Sequence, residues 1–356
     1  MHPLPLHALH QAMGAQFGDD QGFEQVRTFG APERAFAALT TRAALQDRTF
    51  RGLVRLHGPD AVTFLHGQTT NEVKKLEPGH GNGAVLLTAR GKMLGEVRVL
   101  RRADDLLVET GVGFGEPVRD ALERGCISEE VEFEDWTLTF GQLGLYGPEA
   151  HAVLTAALGA PAPSLVEHAH QEVLLGGAAV TVVGTRGPGA AGFDLLVPAP
   201  ALEAVWRALR AAGEPRGLAP MGEDTHEHAR IAAGLPRFGV DMTSETNPLE
   251  ANLERDISYN KGCYVGQEVI AKATFRGHVN KKLCQLAFGA TLPEVGAELS
   301  HGDRVVGRVT SAAALPDGRM LGLGYVKRDL AKPGVALAVA GGGTAEALGL
   351  AAPPSP

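Results

Sequence analysis

Cysteine is scarce in this chain: only Cys126, Cys263 and Cys284 occur, far apart and with no CxxC pair. That excludes a disulfide framework, and it excludes a zinc cage built by this chain alone. A reducing compartment is expected. No window approaches the roughly 18 apolar residues of a membrane-spanning helix. The opening Met1-His2-Pro3-Leu4 lacks the basic segment and the apolar stretch of about 7–15 residues that mark a secretory signal. The expectation is a cytoplasmic protein without a membrane partner. There is no dense basic run, and 33 Lys+Arg against 41 Asp+Glu leave a formal charge of −8, so no extended nucleic-acid-binding face is expected. Standard catalytic patterns are missing too. No GxxxxGK[ST] phosphate loop, HExxH or GxSxG is present, and Gly111-Val112-Gly113-Phe114-Gly115-Glu116 fails the GxGxxG spacing at its last position. Nucleotide hydrolysis, dinucleotide redox and serine hydrolysis therefore have no footing.

What is present is enough apolar material, 44% of 356 residues, for two or three domains, and an internal repeat. Leu56-His57-Gly58-Pro59-Asp60-Ala61 recurs 89 positions later as Leu145-Tyr146-Gly147-Pro148-Glu149-Ala150, and Asp105-Leu106-Leu107-Val108 recurs at the same offset as Asp194-Leu195-Leu196-Val197. Each Gly-Pro-acid segment follows an apolar run and opens a helical pattern, with Pro at an early helical position and an acid near the positive end of the helix dipole. Each copy later carries a second helical stretch, Pro117 to Arg124 and Ala201 to Ala211, with apolar residues three or four apart. Strand, helix, strands, helix is the order of a ferredoxin-like α+β unit. Two such modules suggest a cleft between them for a small ligand. A loop-rich stretch follows from Gly234 to Lys261. Short alternating runs between 279 and 340, with turn signals such as Pro316-Asp317-Gly318, read as a small all-β module. Gly341-Gly342-Gly343 and Pro353-Pro354-Ser355-Pro356 read as a poorly ordered end. The expected domains are 1–140, 141–275 and 276–345, followed by a disordered tail over 346–356.

The most distinctive segment is Lys261-Gly262-Cys263-Tyr264-Val265-Gly266-Gln267-Glu268. The glycines permit positive φ or close backbone approach, and Lys261 could favour the thiolate of Cys263, the form that acts as nucleophile or metal ligand. A small buried thiol in a glycine-rich turn is the alternative. In these residues the chain resembles the YgfZ group of folate-binding proteins, relatives of the T-protein (aminomethyltransferase) of the glycine cleavage system.

The resemblance covers roughly residues 40 to 330. Val54 to Asn71 is similar to the superfamily's strand, helix and Gln/Thr/Asn-rich turn. Leu86 to Leu94 is similar to the stretch before the catalytic acid of true aminomethyltransferases, and Thr246-Asn247-Pro248-Leu249-Glu250-Ala251 to a loop shared by both branches. The match implies a GcvT/YgfZ-like α+β fold: a three-domain clover-leaf with two ferredoxin-like modules and a C-terminal small β-barrel, around a channel holding tetrahydrofolate or a derivative.

Site residues follow from the same resemblance. Asp194, in Gly192-Phe193-Asp194-Leu195, stands where the family's pterin-binding acid is expected; a carboxylate there could accept the N3–H and 2-amino group of the pterin together, or Asp194 could open a strand and face solvent. Glu96 stands in Met93-Leu94-Gly95-Glu96-Val97 where T-proteins have paired aspartates, either as the transfer carboxylate or as a solvent-facing residue of the strand Gly95 to Arg101. Arg230 could hold a carboxylate of the folate tail or a carbonyl at its helix end. Tyr264 is a further cofactor contact, and Lys261 and Cys263 are catalytic candidates. His226 and His228, two apart on a helix, point to different faces and are expected to be solvated rather than metal ligands. The resemblance implies a folate-binding protein more than a classical enzyme. Its implied role is supporting iron–sulfur client proteins, including those of tRNA modification, with Cys263 as the working thiol. The alternatives are folate-dependent aminomethyl transfer using Glu96 and a lipoyl-carrying partner, and a non-catalytic binding module.

Overall fold

The computed structural model describes residues 1–351. Their contacts divide into two compact units. The first comprises Met1–His66, Glu72–Gly83 and Val97–His226, and the second Gly67–Asn71, Ala84–Glu96 and Glu227–Pro356.

The repeat forms as two copies of one element order. Strand Arg51–His57, helix Ala61–Gln68, strands His80–Leu87, Met93–Arg101 and Leu106–Val112, and helix Gly115–Gly125 are matched by strand Phe140–Tyr146, helix Ala150–Leu158, strands His170–Leu175, Ala178–Thr185 and Gly192–Pro198, and helix Leu202–Gly213. Both turns pass through a glycine at positive φ, Gly58 at 118° and Gly147 at 113°. The helices start at Ala61 and Ala150, so Pro59 and Pro148 sit in the turn before the helix and not in its first turn. Strand register differs between the copies. Val54 faces Val108, whereas the equivalent Leu143 faces Leu195, two residues short of the repeat position. A two-residue shift keeps every side chain on its original face, which is why the hydrophobic pattern tolerates it.

The first copy contributes a five-stranded sheet in the order His80–Leu87, Met93–Arg101, Leu106–Val112, Arg51–His57, Glu132–Asp135. The second builds a six-stranded sheet that also recruits Ala44–Asp47 and Ala219–Met221 at one edge. Helix Leu202–Gly213 buries Leu202, Val205, Trp206 and Leu209, a spacing of three and four that lays one stripe on the sheet. These side chains share a core with Val153, Leu154, Leu143, Leu145, Phe193 and Leu195.

In the second unit, Val85, Leu87 and Met93 form one core with Met242, Leu249, Leu253, Ile257, Tyr264 and Ile270. Six strands, from Lys281–Phe288 to Thr344–Leu350, close a barrel with its own core of Cys284, Leu286, Leu299, Val309, Val326 and Ala347. The chain end differs from expectation. Gly341-Gly342-Gly343 link the last two strands, and Thr344–Leu350 pairs with both Lys281–Phe288 and Val335–Val339, running past position 345 into the stretch expected to be a tail. Alternating Ala345 and Ala347 fill the barrel interior, a pattern of small residues that carries little hydrophobic signal. The remainder of that expected tail, 352–356, lies outside the described residues. Among the described residues, no helix is long and apolar enough to cross a membrane.

Candidate functional site

Asp194 lies in strand Gly192–Pro198 between Phe193 and Leu195, which enter the core, so alternation turns it to the opposite face. It does not face solvent; it is 2% exposed. Its Oδ1 accepts the Tyr146 hydroxyl at 2.6 Å and Arg48 Nη1 at 2.8 Å, and its Oδ2 accepts Arg98 Nη1 at 2.7 Å. Arg98 also donates through Nε, at 3.1 Å, and through Nη2 to Oε2 of buried Glu109, whose Oε1 accepts Arg51 Nε at 3.0 Å. Arg48 donates to the Tyr146 oxygen at 2.6 Å as well. Three arginines and two carboxylates thus form one cluster within the first unit. Asp194 and Tyr146 come from the six-stranded sheet; Glu109, Arg51 and Arg98 come from the five-stranded sheet.

The electrostatics follow from this geometry. Burial alone would raise the pKa of Asp194, but Arg98, Arg48 and the Tyr146 hydrogen bond outweigh it and hold the carboxyl far below its usual range. Glu109 is lowered in the same way by Arg98 and Arg51 against the cost of burial. Arg51 is lowered, by burial first and by repulsion from Arg48 and Arg98. Asp194 therefore presents a fixed negative charge with three of about four lone pairs taken. One donor of a pterin can be accepted as the cluster stands; two at once require Arg98 or Arg48 to let go. The repeat extends to this chemistry, since Asp105 accepts Arg55 Nε and Arg102 Nε, each at 2.6 Å. The cluster partners Arg48, Arg51, Arg98, Glu109 and Tyr146 were not singled out in the sequence. The readable signal was a lone charge inside an apolar run, as in Val97-Arg98-Val99 and Leu107-Val108-Glu109, because a charge in a buried strand requires a partner.

Arg230 is 3% exposed, and its guanidinium is engaged by Asp241 at 2.6 Å, Glu227 at 2.7 Å, the Ser311 hydroxyl at 2.8 Å and the Leu235 carbonyl at 3.2 Å. With Nε also on Glu227, each guanidinium nitrogen is committed. Of its two readings, the helix-end role fits these contacts, and binding of a folate tail would have to displace them. His226 is not simply solvated: it is half-buried and its Nδ1 lies 2.9 Å from Gln46 Oε1. Glu96 is half-buried in strand Met93–Arg101.

The octapeptide separates what its sequence suggested would act together. Cys263 is exposed, Cys126 intermediate and Cys284 buried. Lys261 is buried and donates from Nζ to the carbonyls of Thr69 at 2.6 Å and Asn71 at 2.8 Å, with the ammonium 5.1 Å from the Tyr264 ring centroid. The Val265 N–H donates to the Gly67 carbonyl at 3.0 Å. Tyr264 is a core residue, its phenol pushed up to about 12 by burial. Lys261 and Tyr264 thus anchor the loop, and Cys263 is the member it presents. Gln267 opens a short helix, Gln267–Ala271.

The fold and the motifs define a class before any individual relative is considered. The profile of the GCVT N-terminal domain matches residues 6–261, and the chain belongs to that family. Its relatives include the Aminomethyltransferase of Streptomyces coelicolor, 28% identical over 335 residues that cover 92% of this chain and 90% of that one. The Aminomethyltransferase of Rubrobacter xylanophilus is 29% identical, covering 90% and 86%. A putative chloroplastic transferase of Arabidopsis thaliana is 28% identical, covering 87% and 71%. The crystal structure of glycine cleavage system aminomethyltransferase T from Bartonella henselae matches with a TM-score of 0.89 at 24% identity, over 98% of this chain and 96% of that one. The GcvT-like α+β fold, with ferredoxin-like sheets and a six-stranded C-terminal barrel, is thereby established. These relatives carry transferase names, which gives no support to the expectation of a protein that is not a classical enzyme.

Proposed function

We propose that this chain binds tetrahydrofolate or a derivative through Asp194 and works as a folate-dependent transferase of the aminomethyltransferase type. The observation that carries the reading is Asp194 itself. The acid that stands where the resemblance expects the pterin-binding residue is buried, held ionised and fixed by Tyr146, Arg48 and Arg98. A preset carboxylate loses little freedom when it accepts a pterin N–H, and a charged acceptor strengthens that bond. Bound tetrahydrofolate supplies the nitrogens that take up a one-carbon unit. Glu96 is the carboxylate proposed to assist transfer, in place of the paired aspartates of T-proteins; Gly95 leaves it without an acidic neighbour. Arg230 belongs to the framework of this reading and not to the ligand contacts.

A second reading is favoured by one feature of the octapeptide. Lys261 and Val265 pin a loop that leaves Cys263 as its exposed thiol. That suits a YgfZ-type role supporting iron–sulfur proteins, including those of tRNA modification, with the folate site retained. One experiment separates the two: aminomethyl transfer from a lipoylated carrier protein, beside calorimetric titration with tetrahydrofolate. Turnover that Glu96→Gln abolishes without loss of folate affinity supports the transferase. Folate binding without turnover, together with loss of client-enzyme activity in cells carrying only Cys263→Ala, supports the second. Absence of folate binding sinks both.

A further inference from the structure

The ion cluster of the first unit leaves one guanidinium short of acceptors. Arg48, Arg51 and Arg98 hydrogen-bond two carboxylates, Asp194 and Glu109. A third acid, Glu223, acts on Arg48 and accepts Gln46 Nε2 at 2.8 Å. The unused donors are those of Arg51. Its side chain is 27% exposed, against 12% for Arg48 and 11% for Arg98. Only its Nε is used, on Glu109; among the described residues Nη1 and Nη2 have no protein acceptor. A guanidinium left with two parallel donors beside two other cations is built to receive a planar anion bidentately. Leaving guanidinium donors without acceptors in a partly desolvated place is costly.

We infer that Arg51, backed by Arg48 and Arg98, is a binding site for a single ligand carboxylate. Two sources share that chemistry, a small carboxylic or amino acid and the glutamyl tail of a folate. Chain geometry favours the first. Arg51 and Asp194 belong to one cluster linked through Arg98 and Glu109, and the benzoyl spacer of a folate carries its glutamyl carboxylates well away from the pterin. A folate using Asp194 for its pterin cannot also place its tail on Arg51. The inference rests on the ion cluster and stands whether or not folate binds.

The test titrates the full chain at constant ionic strength with acetate and with glycine, following the arginine Nε–Hε signals by NMR. Glycinamide serves as the analogue without a carboxylate. The titrations are repeated with saturating 5-formyltetrahydrofolate, and pteroate is compared with pteroylglutamate. Saturable binding of acetate and glycine, absent for glycinamide and weakened at least tenfold in Arg51→Gln, is the expected result. Arg51→Lys should fall between, because an ammonium keeps the charge but loses the fork; it also preserves the test should Arg51→Gln unfold. Pteroylglutamate binding that depends on Arg51 where pteroate binding does not would keep the site and assign it to the folate tail. Carboxylates that bind no better than chloride, or that bind Arg51→Gln as they bind the parent, would overturn the inference.

Discussion

Replacing Asp194 by Asn would leave Arg48 and Arg98 buried with half of their compensation gone, and breaking one side of a buried ion pair costs about 3–5 kcal/mol. Denaturant unfolding should read that loss. Tyr146→Phe, which removes one hydroxyl from the same carboxylate, should cost only about 1.5–3 kcal/mol. It is therefore the better probe of ligand binding, because it leaves the charge in place. The pH dependence has a definite sign. Asp194 and Glu109 both titrate below their ordinary values, so in acid the native state binds fewer protons than the unfolded chain. Their stabilisation is complete above the unfolded carboxylate range, about 3.9–4.3, and is lost as pH falls below it. Asp194→Asn should flatten the decline in stability between about pH 5 and 2; an unchanged slope would mean this carboxylate does not carry it. Asp194 was legible in the sequence because it sits in a motif. The residues that fix its charge were not, since Arg48 and Arg98 reach it from 146 and 96 positions away and belong to no pattern.

The octapeptide is an element whose parts do separate work. Lys261 and Cys263 are two apart in sequence, and adjacency suggested that the cation tunes the thiol. The ammonium instead goes to carbonyls 192 and 190 positions upstream, contacts that no local spacing foretells. Lys261→Met should remove a charged donor from two carbonyl acceptors, those of buried Thr69 and half-buried Asn71, at a cost of about 1–3 kcal/mol, and hydrogen exchange should show the loop opening first. Gly266 has φ of 82°, and a Cβ there would lie 2.8 Å from the Thr88 carbonyl oxygen and 2.9 Å from Leu87 Cβ, so Gly266→Ala should also loosen the loop. Cysteine labelling gives an independent reading. Cys263 should alkylate fastest, being exposed, and Cys284 slowest, since burial pushes its thiol up to about 12 and shields it. Mass spectrometry that finds Cys263 no faster than Cys126 would return the octapeptide to a purely architectural role.

At the scale of the whole molecule, the repeat and the all-β module were readable because each is a local pattern, two equal offsets in one case and strand alternation in the other. The grouping of the chain into units was not, because it depends on non-local contacts. Residues 67–71 and 84–96 leave the first repeat to join the unit formed mainly by 227–356. Their contribution is specific: Val85, Leu87 and Met93 complete the core around Met242, Leu249, Ile257, Tyr264 and Ile270, and the Thr70 hydroxyl donates to the Asp256 carbonyl at 2.6 Å. The barrel needs none of them, having a closed ladder and a core drawn from 284–347. A fragment spanning 227–356 should therefore fold only in part. Its amide spectrum should show dispersed signals for the barrel strands from Lys281 onward, and collapsed signals with rapid hydrogen exchange for 238–275, where burial of three large side chains worth about 1.5–3 kcal/mol each is missing. Native-like protection of 238–275 in that fragment would mean the segment carries its own core, and that the crossing of 84–96 into this unit is incidental to its stability.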